Sequence, residues 1–308
     1  MTQPLPPEFL DIATGLLQTP ATIAPKYFYD ARGSALFEEI TRLPEYYPTR
    51  TENAIMATHA QAMAQAIGPG GTVIELGAGN CQKARALCEC IQARHYVAVD
   101  ISEAFMREAV AGMRAAFPAL PIDAVVADIT TGWALPAHVP KGQRLVFYPG
   151  SSIGNFDPPQ AQALLSSMRG VLGMEGALLI GVDLVKDTAV LNAAYDDAAG
   201  VTAAFNRNML DHVSRLIGAD FDARQWLHRA FFNAAQSRIE MHLEAAQDVD
   251  VTWLGGARHF AQGERIHTEN SYKYRVNDFV ALLRQAGFAQ TQVWMDAQQW
   301  FAVVLARP

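Results

Sequence analysis

The string Thr72-Val73-Ile74-Glu75-Leu76-Gly77-Ala78-Gly79-Asn80 carries the clearest architectural signal in the chain. Its first three residues are β-branched, which suits a buried, pleated strand better than a helix. Two glycines then stop the strand and free the backbone to turn. Residues 82–93 follow with helical spacing, and Tyr96-Val97-Ala98-Val99-Asp100 reads as a second strand. Ser102 suits the N-cap of a helix over 103–115. Strands are expected again over 123–127, 145–148 and 177–182, and a helix from 277 to about 286. Short apolar runs alternating with helical periodicity predict βαβ units on a parallel sheet.

The chain closes differently. Strands are predicted over 290–295 and 300–305, separated only by Asp296, Ala297, Gln298 and Gln299. So short a link cannot hold a crossover helix, so the pair should run antiparallel. A parallel sheet ending in such a hairpin is characteristic of class I methyltransferases, whereas dinucleotide-binding sheets more often stay parallel. Two stretches stand outside the sheet. One is the helical, aromatic first fifty or so residues. The other, from about Lys186 to Tyr274, opens with helices and then alternates as strands through Arg238-Ile239-Glu240-Met241-His242-Leu243. The expected fold is α/β: a Rossmann-like class I methyltransferase core over 55–190 and 275–308. Residues 1–54 and 191–274 should form a smaller α+β substrate-binding or lid domain over the sheet's carboxyl edge.

Composition narrows the partners. Lys plus Arg number 24 against 31 Asp plus Glu, a formal charge of −7, and no basic patch is visible. Nucleic-acid binders draw affinity from phosphate neutralisation, so a small-molecule partner is expected instead. Met1-Thr2-Gln3-Pro4-Leu5-Pro6-Pro7 lacks the charged front of a secretory signal, and no apolar run approaches the roughly 18 residues of a membrane span. A cytoplasmic protein without membrane contact, a monomer by preference, is expected. Cys81, Cys88 and Cys90 read as reduced thiols filling core positions. His59, His138 and His259 form no close ligand spacing, so no metal is expected.

In open α/β sheets, ligands bind outside the carboxyl ends of the strands. Gly77 and Gly79 sit at such an edge, but Gln82 stands where a dinucleotide fingerprint needs a third glycine. An ordinary βα turn is the competing reading. Asp100 ends the next strand, where a carboxylate can accept from both hydroxyls of a ribose. Asp128, in Ala127-Asp128-Ile129, is suited to an adenine amino group. Each of Glu75, Asp100 and Asp128 alone would pass for a solvated carboxylate or a cap. Together, at three successive strand ends, they point to a nucleoside pocket. Lys83 is either a solvated helix residue or one that reaches a cofactor carboxylate.

Longer strings go beyond the fold. They include Lys26-Tyr27-Phe28-Tyr29-Asp30, Leu43-Pro44-Glu45-Tyr46-Tyr47-Pro48-Thr49-Arg50 and Pro149-Gly150-Ser151-Ser152-Ile153-Gly154-Asn155-Phe156. Asp183-Leu184-Val185-Lys186-Asp187, Ala194-Tyr195-Asp196-Asp197, Phe205-Asn206-Arg207-Asn208 and Thr268-Glu269-Asn270-Ser271 follow. In this order, from about residue 10 to the end, they closely resemble the histidine-specific Nα-methyltransferases of ergothioneine biosynthesis. The resemblance implies three methyl transfers from S-adenosylmethionine to histidine, giving the betaine hercynine. It implies that Asn155 and Tyr195 hold the substrate's carboxylate and amino group. Tyr46 would line the reacting end, Tyr29 would approach the imidazole, and Glu269 and Ser271 would bond its nitrogens. On the cofactor side it maps Gly77, Lys83, Asp100, Asp128, Ile129 and the backbone near Gly150.

These residue types suit the chemistry. A neutral imidazole offers one donor and one acceptor, matching a carboxylate beside a hydroxyl. An apolar ring would leave both groups buried and unpaired, at a cost of roughly 1–3 kcal/mol each. Alone, a Glu-x-Ser in a strand reads as surface. Departures from the family pattern are Cys81 and Gln82, in place of a Ser-Glu pair, and the polar Asn270. Met241 is read either as a wall of the imidazole pocket or as core. The alternatives are the same reaction on another amine, such as a tryptophan derivative, a nicotinamide-dependent oxidoreductase, and a non-catalytic amino-acid-binding module.

Overall fold

The computed structural model describes residues 5–308, apart from the side chains of Ala104 and Phe105, and the counts below refer to those residues. The uncharged opening residues Met1-Thr2-Gln3-Pro4 lie outside them. The chain divides into two compact units. One comprises residues up to Tyr47 with Lys186–Ser271, the other Pro48–Val185 with Tyr272–Pro308.

In chain order the elements begin with α1 (Leu10–Leu17), β1 (Ala21–Thr22) and α2 (Ala31–Ile40). Next come α3 (Tyr47–Thr58), α4 (Ala60–Ile67), β2 (Thr72–Leu76), α5 (Gln82–Cys90), β3 (His95–Asp100) and α6 (Glu103–Ala116). They are followed by β4 (Ile122–Val126), β5 (Arg144–Tyr148), α7 (Pro158–Leu172) and β6 (Ala177–Asp183). The chain continues with α8 (Thr188–Tyr195), α9 (Val201–Ile217), β7 (Trp226–Asn233), β8 (Arg238–Ala245), β9 (Val249–Trp253), β10 (Gly256–Phe260) and β11 (Arg265–Tyr272). It closes with α10 (Val276–Gln285), β12 (Gln290–Met295) and β13 (Phe301–Arg307).

The larger unit is built on a seven-stranded sheet of order β12-β13-β6-β5-β2-β3-β4. Neighbours from β6 through β4 are parallel. β13 is antiparallel both to β12 and to β6, so the expected closing hairpin is present and inserts its second strand next to β6. This is the α/β arrangement expected of class I methyltransferases. Every residue of β2 and β6 is buried, which is why both are largely apolar, with Thr72 and Glu75 in β2 and Asp183 at the end of β6 as the polar exceptions. One face packs Ile74, Val146 and Ile180 against Leu165 and Met168 of α7 and Phe279 and Leu283 of α10. The other packs Val73, Phe147 and Leu179 with Leu87 of α5 and Met106 and Val110 of α6. From β2 the chain moves outward to β3 and β4, then crosses back to β5. The switch point, where such sheets bind ligands, therefore lies between β2 and β5.

Two local expectations change. α5 stops at Cys90 rather than 93. Ser102 occupies the N-cap of α6, but its side chain makes no capping bond; its N–H donates instead to Asp100 at 2.8 Å.

The smaller unit carries a sheet of order β1-β11-β8-β7 and a separate β9–β10 hairpin. β7 and β8 pair antiparallel from Trp226↔Ala245 to Asn233↔Arg238. Helix α9 is fastened to this sheet by Asn206, which is fully buried. Its amide donates to the His242 carbonyl and meets His228 Nδ1, while its oxygen accepts from Thr268 Oγ1. Among the described residues no helix is long and apolar enough to cross a membrane.

Candidate functional site

At the carboxyl edge of the larger unit, β2 ends in a turn with Gly77 at φ +64° and Gly79 at φ +50°. Those left-handed conformations favour glycine. A Cβ built on Gly77 would meet nothing within 4 Å, so its backbone borders open space. The turn is tied to β3: Gly77 N–H and Ala78 N–H donate to the Val99 carbonyl, and Gly79 N–H donates to Asp100 Oδ2 at 3.0 Å. Asp100 thus has each carboxylate oxygen oriented by one backbone N–H and keeps lone pairs for further donors. Asp128 lies two residues past the end of β4, where its Oδ1 accepts from the Thr130 N–H and hydroxyl. Ile129 packs against the core beside it. Asn155 ends a short 3-10 turn, Ser152–Asn155, that follows β5.

Lys83 is neither solvated nor unpartnered: its ammonium is ion-paired with Glu52 of α3. Glu52 is 1% exposed, and both its oxygens also accept from Gly150 N–H at 3.0 Å. A side chain at 181 would collide with it, since a Cβ there would stand 1.9 Å from Glu52 Oε1. Glu52 therefore ties α3, the start of α5 and the turn after β5 at the switch point. Nearby, Ser151 Oγ accepts from Asp183 N–H, and Asp183 is paired at 2.8 Å with Lys273, both buried.

Glu75 parts company with the other two acidic residues. It is 2% exposed and accepts from the Tyr96 hydroxyl at 2.5 Å, within the sheet rather than at its edge. Burial pushes its carboxyl up to about 8, against the weaker pull of Tyr96 and Lys83. The sequence placed it at a strand end; in the structure Leu76 still belongs to β2, and Glu75 is an internal strand residue.

In the smaller unit, aromatic rings form a connected series. Tyr29 meets Phe37 at 5.9 Å, Phe37 meets Tyr46 at 6.3 Å, and Tyr46 meets Tyr195 at 6.2 Å, all edge-to-face. Phe205 packs against Tyr29 and Phe37. The series ends in a hydrogen bond of 2.8 Å between the Tyr195 hydroxyl and Ser271 Oγ. Four residues expected to handle substrate, Tyr29, Tyr46, Tyr195 and Ser271, are thus brought together. Tyr195 and Ser271, assigned to opposite ends of that substrate, are direct neighbours. Glu269 is two residues away on β11, half-buried, with its carbonyl accepting from His267.

Residues 10–308 match the family model described as histidine-specific methyltransferase, SAM-dependent. The chain belongs to the histidine-specific methyltransferases. A histidine N-alpha-methyltransferase of Mycolicibacterium smegmatis is 44% identical to this family member, over 96% of this chain and 93% of that protein. One from Mycobacterium tuberculosis is 38% identical over the same shares. Ergothioneine biosynthesis protein 1 of Neurospora crassa is 31% identical over 91% of this chain, which spans 32% of that longer protein. The methyltransferase uses S-adenosylmethionine, and the carboxyl edge fits that molecule. Asp100 offers a prepared acceptor for ribose hydroxyls, Gly77 leaves room beside the backbone, and Lys83 has ammonium N–H groups beyond the one given to Glu52.

Sequence reasoning missed Glu52, the Asp183–Lys273 pair, and the packing roles of Phe37 and Phe205. A glutamate in a helix ordinarily reads as solvated, so nothing local marked Glu52. Phe205 stands in Phe205-Asn206-Arg207-Asn208 and Phe37 between Asp30 and Leu43, where an aromatic is as readily core as cage.

Proposed function

We propose that this methyltransferase converts L-histidine to hercynine by three methyl transfers onto the α-amino group, in the ergothioneine pathway. The observation that carries the substrate assignment is the aromatic series from Tyr29 to Tyr195 with its terminal bond to Ser271. A wall of ring faces and edges tolerates an amine that gains methyl groups and ends as a quaternary ammonium, through cation–π attraction.

When bound, S-adenosylmethionine supplies a sulfonium methyl open to in-line displacement. The chain's part is to position. Holding the amine in near-attack geometry contributes roughly 7–11 kcal/mol in well-oriented systems, so no strong general base is required. Asp100, Asp128, Ile129, Gly77, Lys83 and the backbone at Gly150 are assigned to the cofactor. Asn155 and Tyr195 are assigned to the carboxylate and amino group, Tyr46 and Tyr29 to the substrate's reacting and imidazole ends, and Glu269 and Ser271 to the imidazole nitrogens. Ser271 bonds Tyr195, which ties the residue assigned to the imidazole to one assigned to the substrate's carboxylate and amino group. Protons shed by the amine leave through water or a tyrosine oxygen. On this reading the larger unit is the S-adenosylmethionine-binding core and the smaller one the substrate-binding domain, in a monomeric cytoplasmic enzyme.

The test is mass spectrometry of the protein incubated with S-adenosylmethionine and all twenty amino acids in competition. Histidine alone gaining up to three methyl groups is the expected result. Methylation of a different amine would overturn the assignments of Glu269 and Ser271.

A further inference from the structure

In the larger unit, three side chains meet at the other end of the strands from Asp100 and Asp128. His95 is the first residue of β3, Asp123 the second of β4, and His138 lies on the connection to β5. His95 and His138 each set Nε2 against the same atom, Asp123 Oδ2, at 2.8 and 2.9 Å. One ligand atom from each residue lies within 4.8 Å of the other two. We propose that His95, Asp123 and His138 form a binding site for a divalent transition-metal ion of the zinc class, with its remaining positions open to solvent.

The donor set is the first support. Two imidazole nitrogens and one carboxylate oxygen are the ligands such ions prefer, and three protein ligands with an open position is a common zinc arrangement. Separation is the second. Even at the widest allowed spacing, a point equidistant from the three atoms lies roughly 2.6 Å from each, so about half an ångström of closure reaches bonds of ~2.0–2.2 Å. Protons balance as well. Each neutral imidazole moves its ring proton to Nδ1, freeing the Nε2 lone pair, and the ion stands where two hydrogen bonds stood.

The third support is that the ligands are held in place. His95 is buried in the sheet. His138 is exposed, but the next residue, Val139, is anchored in the core, with its N–H on the Pro136 carbonyl. The Arg144 guanidinium grips the carbonyls of Val139 and Pro140. An ion here would tie to two strands the same connection that begins with Asp128 and Ile129. A second trio, Glu240, His242 and His267 in the smaller unit, is less suited: Glu240 Oε1 already accepts from Arg238, whose positive charge opposes a cation.

Equilibrium dialysis of the full-length, tag-free, chelator-stripped protein against Zn²⁺ tests the site, with Co²⁺ absorption as a second readout. His138→Ala is the decisive variant, because that side chain is 64% exposed and its removal opens no core. The expected result is one zinc equivalent lost from His138→Ala and retained in His242→Ala. Affinity should fall roughly tenfold or more, since even second-sphere changes cost about 10–100-fold. The visible Co²⁺ bands should vanish with it, as should the zinc-dependent rise in melting temperature. No zinc uptake by the wild type, or equal uptake by His138→Ala, would overturn the proposal.

Discussion

Glu52 holds an ammonium and a backbone N–H at once, so its removal should be felt in two ways. Glu52→Ala is expected to destabilise the protein by about 1–3 kcal/mol, below the cost for a fully buried pair because Lys83 is one-fifth exposed. It should also weaken S-adenosylhomocysteine binding about tenfold, near 1.4 kcal/mol, in a calorimetric titration. Unchanged affinity would mean that the latch shapes the fold without serving the cofactor. Glu75 yields a pH test. Below 4.5 its carboxyl is protonated in folded and unfolded chains alike. Between 4.5 and about 8 only the folded chain keeps the proton, so stability falls as pH rises, and above about 8 the loss is complete. Glu75→Gln should therefore melt higher than wild type at pH 8, with the gap closing toward pH 5. Asp100 was legible as a candidate only in company with the other strand-end acids, since alone it passes for a solvated carboxylate or a cap. The sequence could not separate Glu75 from Asp100, since one position along a strand decides between core and edge.

At the scale of elements, Cys88 and Cys90 lie on α5 and Cys81 at its N-cap, and burial divides the three. Cys81 and Cys88 are buried, and burial raises each thiol to about 12, whereas Cys90 is exposed. The expectation that all three fill core positions fails at Cys90, which falls on the solvent side of the helix. Native protein should react with a thiol reagent at one site promptly and at three only in denaturant, and peptide mapping should place the first label on Cys90. Strands β2 and β6 of the larger unit were readable because continuous burial writes largely apolar runs, and its helices because one buried face writes helical spacing. β1 was not: its two residues pair with β11 through Ala21↔Ile266 and Thr22↔His267, and no periodicity can show in so short a stretch. Nor does any spacing bring 95, 123 and 138 together, since parallel pairing of β3 with β4 and a loop fold back to do it.

Across the molecule, neither compact unit is a continuous stretch of chain. A protein ending at Ser271 would lack α10, β12 and β13, leaving β6 without its antiparallel neighbour. Still paired with β5 on one side, the fully buried β6 would present its other side as an exposed apolar edge. Such a truncation is expected to aggregate, as read by size-exclusion chromatography, rather than retain a folded core; a soluble monomer with native circular dichroism would refute this. The closing hairpin could be read from a four-residue link, but its insertion beside β6 could not, because pairing order depends on which edge stands open when the strand arrives.

That insertion bears on how the protein is made. β6 ends at Asp183 and β13 begins at Phe301, so the ribosome delivers one flank of β6 long before the other. The parallel strands can assemble while translation continues, yet the sheet waits with its apolar edge bare as α8, α9 and the whole of the smaller sheet emerge. Release of the last strand, not formation of the first, is then the event that completes the larger unit. Until β13 arrives, that edge of the nascent chain is open to mispairing.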